Sequence, residues 1–281
     1  MKQLMSAALL AVALVAGEYD EGYSAYQKKH YEKALPLFEK AAQHNDAGAQ
    51  LMLGVMNSNG EGVKQDYQKA AYWYRKAADQ NVTAAHYNLG LLYEKGKGVA
   101  QDYKKAAFHY ETAARAKSVQ AQLNLGALYE SGKGVPKDPK KAAHWYQKAA
   151  DHQDARGQFN LANLYYGGQG VSKDLKKAAY WYEKAARAGH PSAQTNLGML
   201  YERGEGVAQD SAKALHWYEA AASRKNPQAY TSLGLMYARG KGVEQNDRKA
   251  YEYWQKGARL GDATAQKNLE ALCQKNPSVC K

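Results

Sequence analysis

The sequence predicts an all-α solenoid of stacked antiparallel helix pairs. Three observations predict it: an uninterrupted 36-residue period, two helical hydrophobic patterns in each period, and helix-stopping and helix-capping residues at fixed places between them. The period runs through Ala49, Ala85, Ala121, Gly157, Ala193, Ala229 and Ala265. With that residue as place one, leucine holds place five from Leu53 to Leu269, and Gly-Val holds places fourteen and fifteen in all six full repeats. Repeats of this kind bury their apolar faces against their neighbours, so the core extends along the chain instead of closing on itself.

In chain order, residues 1–17 have the layout of a secretory signal: Lys2, an apolar run from Leu4 to Val15, then Ala16-Gly17 before polar Glu18. The run is too short to span a bilayer. Val15 and Gly17 are small enough to flank a cleavage point, so Glu18 is the expected first mature residue, with Ala13/Leu14 as the other cleavage option. The competing reading is an uncleaved first helix of the solenoid. A lipoprotein signal requires Cys where Glu18 stands, so lipidation is not expected, and the predicted location is periplasmic or secreted.

Residues 18–48 read as a shorter capping pair, because Gly22 precedes Ala34 by 12 residues where Gly54 precedes Ala70 by 16. Six repeats follow, at 49–84, 85–120, 121–156, 157–192, 193–228 and 229–264. In each, places 1, 5, 8 and 9 form the apolar stripe of a short helix A, as in Ala121, Leu125, Leu128 and Tyr129. The glycine of place twelve (Gly60, Gly96, Gly132, Gly168, Gly204, Gly240) suits a left-handed helix stop. Helix B then starts at place eighteen, where Asp66, Asp102, Asp138, Asp174, Asp210 and Asn246 suit the N-cap. Asp154, Asn226 and Asp262 are placed to cap the next helix A, with Pro191 and Pro227 at its first turn. Residues 265–281 begin one more helix A, in which Glu270 replaces the place-six glycine, as expected of a terminal cap. Cys273 and Cys280 are the only cysteines, and in an oxidising compartment they are expected to close a small disulfide loop.

The 23 Tyr against 3 Phe, with abundant Ala, indicate a thin core of small residues and rings with polar tips. A net charge of +12 favours acidic partners without selecting one. No chemistry-bearing arrangement stands out. The Gly-x-Gly turns lack the third glycine and preceding strand of a dinucleotide site and are read as turn residues. His109, His144 and His216 stand where other repeats carry Tyr, Phe or Trp and are read as packing variants. Trp73, Trp145, Trp181 and Trp217 are read as core, and the Lys69, Lys105, Lys141, Lys177, Lys213, Lys249 ladder as a solvated outer face. Ser278-Val279-Cys280-Lys281 matches Ser-x-x-Lys only by spacing, with no companion motif. The chain is therefore expected not to be an enzyme, with no catalytic residue, cofactor or metal, and export removes nucleic acid as a partner.

Ala-x-x-Asn-Leu-Gly-x-Leu-Tyr, Gly-x-Gly-Val, Asp and Lys-Ala-Ala-x-Trp-Tyr-x-Lys-Ala-Ala stand in register, as in Ala121 to Ala150. With these motifs over residues 49–272 the chain resembles the Sel-like repeat family, relatives of the tetratricopeptide repeats, and residues 18–48 resemble a tetratricopeptide motif. The resemblance implies a right-handed α-solenoid and a bacterial scaffold or adaptor for proteins. It also supplies alternatives: a β-lactam-binding enzyme, known from a branch with a disulfide in each repeat that this chain lacks, or a cell-wall glycan-binding protein.

In related folds helix A lines a concave groove, which places Asn88, Asn124, Asn160, Asn196 and Asn268 of place four, with Ser232, along it. Such amides are suited either to gripping an extended peptide or to bridging neighbouring repeats. The variable places around them supply Tyr87, Phe159, Asn163, Tyr166, Glu94, Glu130, Glu202, Lys95, Arg203 and Arg239. The expected partner is a protein or peptide, bound by a monomer or weak oligomer that does not span a membrane.

Overall fold

A computed structural model describes residues 17–280, which are helical apart from turns. The expected signal lies outside the described residues except for Gly17. The chain divides into two compact units between Asp138 and Pro139.

The first unit holds helical residues 17–27 (α1), α2 (Tyr31–Gln43), α3 (Ala47–Asn59), α4 (Tyr67–Ala78), α5 (Thr83–Lys95), α6 (Tyr103–Arg115) and α7 (Val119–Ser131). The second holds α8 (Pro139–Asp151), α9 (Ala155–Gly167), α10 (Leu175–Arg187), α11 (Pro191–Arg203), α12 (Ser211–Ser223), α13 (Pro227–Arg239), α14 (Asp247–Arg259) and α15 (Ala263–Lys275). From α3 onward, odd helices are the A helices and even ones the B helices. In each unit successive helices pack on one another, and the described residues contain no strand.

The ends of the helices follow from the residues placed there. Asp102 Oδ1 accepts from the Lys105 amide at 3.0 Å, and Asp174 from Lys177 at 2.9 Å, occupying backbone donors that a helix start leaves free. Ser118 and His190 cap α7 and α11 as well, which the sequence reading had not assigned. Gly96 ends α5 in the left-handed conformation at φ 64°. Place-fourteen glycine has a second reason: a Cβ on Gly98 would fall inside the backbone of Tyr67, at the start of the preceding helix B. Each such turn is thus seated on the preceding helix pair by backbone contact.

The core corrects the expectation for tryptophan. Tyr74 and Tyr110 in the first unit, and Tyr146, Tyr182 and Tyr218 in the second, are buried, while Trp73, Trp145, Trp181 and Trp217, one place earlier, are only half-buried. The place-six glycine decides this. A Cβ on Gly198 would stand 2.7 Å from the Tyr218 ring, and Gly54 and Gly90 face Tyr74 and Tyr110 in the same way. The ring fills the notch above glycine and the alanines of both helices close around it, large against small. Gly22 sits likewise under Phe38, so the shorter first pair keeps the same contact. His144 and His216 are exposed, edge-on to Trp145 and Trp217 at 5.1 Å between ring centroids, and are outer-face residues instead of packing variants.

The lysine ladder is exposed as expected, and the ammonium groups of Lys105, Lys177, Lys213 and Lys249 lie over tyrosine rings. Lys177 lies 5.3 Å over the Tyr165 ring and Lys213 5.3 Å over Tyr201, each beside its capping aspartate. At the C-terminus Cys273 and Cys280 form a disulfide with Cα atoms 5.7 Å apart. Arg248 of α14 donates to the Val279 carbonyl at 2.9 Å, tying the closing 3₁₀ turn Pro277–Cys280 to that helix.

Candidate partner-binding face

The core tyrosines present their hydroxyl tips at the polar face of the A helices, where side chains at places four, seven and ten meet them. In the first unit the Tyr110 hydroxyl donates to Glu94 Oε2, and the Asn124 side chain of the next A helix also hydrogen-bonds that hydroxyl. In the second unit the Tyr182 hydroxyl donates to Asn163 Oδ1 at 2.6 Å and is bonded by Asn196. The Tyr218 hydroxyl donates to Glu202 Oε2 at 2.8 Å and is bonded by Ser232. Each hydroxyl thus ties its helix B to its own A helix and lies beside a place-four residue of the following one. Burial, helped at Tyr110 and Tyr218 by the neighbouring carboxylates, raises the phenols, and Tyr182 reaches about 12.

Asn124 and Asn196 therefore stand beside these hydroxyls, at the join between repeats. Asn88 and Asn160 are half-buried on the same face, and Asn268 Nδ2 is buried without a partner. Tyr87 lies against Tyr110, with ring centroids 6.0 Å apart, and Glu130 is half-buried at the end of α7. Phe159 is held against His190, stacked at 4.4 Å. The Tyr166 hydroxyl donates to Glu205 Oε2 at 3.1 Å, and Glu205 also lies 3.7 Å from Arg203.

Four of the expected residues come together in the second unit. Asn196, Glu202, Arg203 and Arg239 line a groove of about 550 Å³ between α11 and α13, with Thr195, Met199, Tyr218, Ser232, Leu235 and Lys241. Lys241 Nζ donates to Glu202 Oε1 at 3.2 Å and to the Glu202 carbonyl at 3.1 Å. With its one carboxylate held by Lys241 and Tyr218, the groove leaves Arg203 and Arg239 exposed at its rim. Among the described residues Arg239 has no ion-pair partner. The site offers an anionic group guanidinium donors flanked by Asn196 and Ser232.

Lys241 and Glu205 were not among the residues expected here. Both are the middle residue of a Gly-x-Gly turn, place thirteen, and reach back to the preceding A helix, as Glu61 does in accepting from Tyr26 at 2.7 Å. The signal was present in the sequence as opposite charges at place ten of one repeat and place thirteen of the next, Glu202 and Lys241.

The Sel1 repeat model matches seven consecutive stretches: 6–46, 47–82, 83–118, 119–154, 155–190, 191–226 and 227–262. The chain belongs to the Sel1 repeat family. The first match begins inside the apolar N-terminal segment, and the later ones begin at the first residue of each A helix. Among solved Sel1-repeat structures, a protective antigen present in uropathogenic Escherichia coli strains is 34% identical, with a TM-score of 0.89 over 95% of this chain. The present chain spans 58% of that antigen's length. A Sel1 repeat protein from Oxalobacter formigenes is 32% identical, with a TM-score of 0.76 over 85% of this chain and 96% of its own. No curated protein matches the chain. Sel1 repeats are scaffolds for protein interaction, and no described helix is long and apolar enough to cross a membrane.

Proposed function

We propose that this protein is a non-catalytic adaptor of the periplasm or cell exterior that captures a protein segment on the polar face of its A helices. The groove between α11 and α13 is its principal contact. The observation that carries this reading is the unpaired Arg239 beside Arg203, above a floor of tyrosine hydroxyl, amide and apolar side chains. A partner segment bearing a carboxylate would pair with the guanidinium groups and lay its backbone against Asn196 and Ser232. An exported location is supported by the apolar N-terminal segment and the Cys273–Cys280 disulfide.

A photo-crosslinking residue at Leu235, which lines the groove, tests the reading in native cells against the same probe at Phe108, an exposed ring on α6. A discrete protein adduct is expected from Leu235 and not from Phe108, and Arg239→Glu should cut its yield by about tenfold without changing the helical CD signal. Equal adducts from both positions, or a yield indifferent to Arg239→Glu, would reject the groove. N-terminal sequencing of the mature protein should begin at Glu18, and retention of Met1 would reject export by a cleaved signal.

A further inference from the structure

Two departures from the repeat meet in the second one. Place two is glutamine at Gln50, Gln122, Gln158, Gln194 and Gln266, and His86 stands there instead. Place twenty-five is tryptophan at Trp73, Trp145, Trp181 and Trp217, and His109 stands there instead. The sixth repeat also departs at both places, with Tyr230 and Tyr253, whose rings lie 6.4 Å apart. These places therefore face each other, and the residues that fill them are chosen as pairs.

The Nδ1 atoms of His86 and His109 are 3.0 Å apart, and the ring centroids 5.3 Å apart. A centroid separation that large means the two nitrogens point at one another nearly head-on. That is the arrangement of a hydrogen bond, whereas two ligands of one metal ion converge on a point beside them. His86 is buried in α5 and hydrogen-bonds the Ala78 carbonyl of α4, the task performed by glutamine where Gln194 Nε2 donates to Ala186 O at 3.1 Å. His109 of α6 is half-buried and stacked on Tyr93 of α5 at 5.6 Å. The charged groups acting on the pair are Arg75 and Asp79, both in the α4 segment.

We propose that the His86–His109 contact is a proton-operated latch, which holds α4, α5 and α6 together at neutral pH and releases them in acid. Each neutral imidazole carries a single N–H, so one Nδ1 donates and the other accepts across the contact. A first added proton puts a cation in a half-buried site near Arg75, with only Asp79 to offset it. A second leaves two N–H groups facing each other and no acceptor. Burial lowers both imidazoles, most strongly His109, which the neighbouring His86 and Arg75 depress further, to about 4. The unfolded chain takes up these protons near the ordinary 6.5, so the latch contributes fully above that pH and is lost as pH falls toward 4. Glutamine and tryptophan, which the other repeats use, have no such dependence.

Hydrogen exchange of the full chain at pH 7 and pH 4.5, corrected for intrinsic rates, tests the latch with α10–α12 as internal reference. Acid should lower protection across α4–α6 by about tenfold relative to α10–α12, and His86→Gln with His109→Trp should abolish that difference. His86→Gln alone, which keeps a donor for Ala78, should abolish it too if the double variant folds poorly. Equal acid loss in both segments, or a loss that persists in the variants, would overturn the proposal. So would NMR titration showing both imidazoles protonating near the ordinary 6.5.

Discussion

Tyr218 illustrates how one side chain serves both packing and polar contact. Its ring fills the notch over Gly198 and its hydroxyl donates to Glu202, so a single residue supplies core volume and a connection to the groove. Tyr218→Phe should keep the ring and lose about 1 kcal/mol, read as a lower urea midpoint with an unchanged slope. The same tyrosines carry an alkaline signature. An unfolded phenol ionises near 10, whereas burial holds Tyr182 at about 12, so its contribution is complete below pH 10 and drains away between 10 and 12. Absorbance titration should therefore show one group of tyrosines ionising near pH 10 and another only as the protein unfolds; a single transition near 10 would contradict the buried row. The sequence announced rings at places twenty-five and twenty-six but not which one is core, because helical periodicity tolerates either. The place-six glycine and the near-constancy of tyrosine at place twenty-six were the clues, and Trp254 of α14 is the exception that takes over the buried position.

Helix ends were the most legible elements, since capping depends on side chains a few residues away. Asp66, Asp102, Asp174 and Asp210 bond the amides their spacing indicated. Alone among the A helices from α3 to α15, α5 has no side-chain cap, because Val82 stands where the others carry Asp, Ser, His or Asn. Val82→Asp should stabilise the protein by about 1 kcal/mol in denaturant melts. Glycines should respond with opposite signs. Gly98→Ala should cost at least about 2 kcal/mol, as its φ of 67° and the Tyr67 backbone both exclude a Cβ. Gly167→Ala, at the last residue of α9 with only ordinary contacts, should gain roughly 0.5 kcal/mol. Contacts between repeats were less legible, because a pairing such as Glu202 with Lys241 spans 39 residues and emerges only when one repeat is compared with the next.

For the whole molecule, the period dictates a core built of many small, similar contacts, and the polar A-helix face follows from the same register. Most of the excess positive charge lies beyond residue 139, in the unit that also holds the groove, which biases that unit toward acidic partners. Cys273 and Cys280 secure its last helix, and the intact mass of protein isolated without reductant should be lower by two hydrogens than that of the reduced chain. The Sel1 register was readable from residue 49 onward but not in the first pair, whose shorter spacing read as a tetratricopeptide motif while the Sel1 model also matches 6–46. Partner identity was not readable, since a scaffold's specificity sits in a few variable side chains on an otherwise repeated frame. The most direct test of the binding account is crosslinking from Leu235 with Arg239 intact and reversed. It predicts one dominant protein adduct that Arg239→Glu diminishes about tenfold while helicity is retained. An adduct of undiminished yield in the reversed variant, or none from the groove while Phe108 crosslinks efficiently, would contradict it.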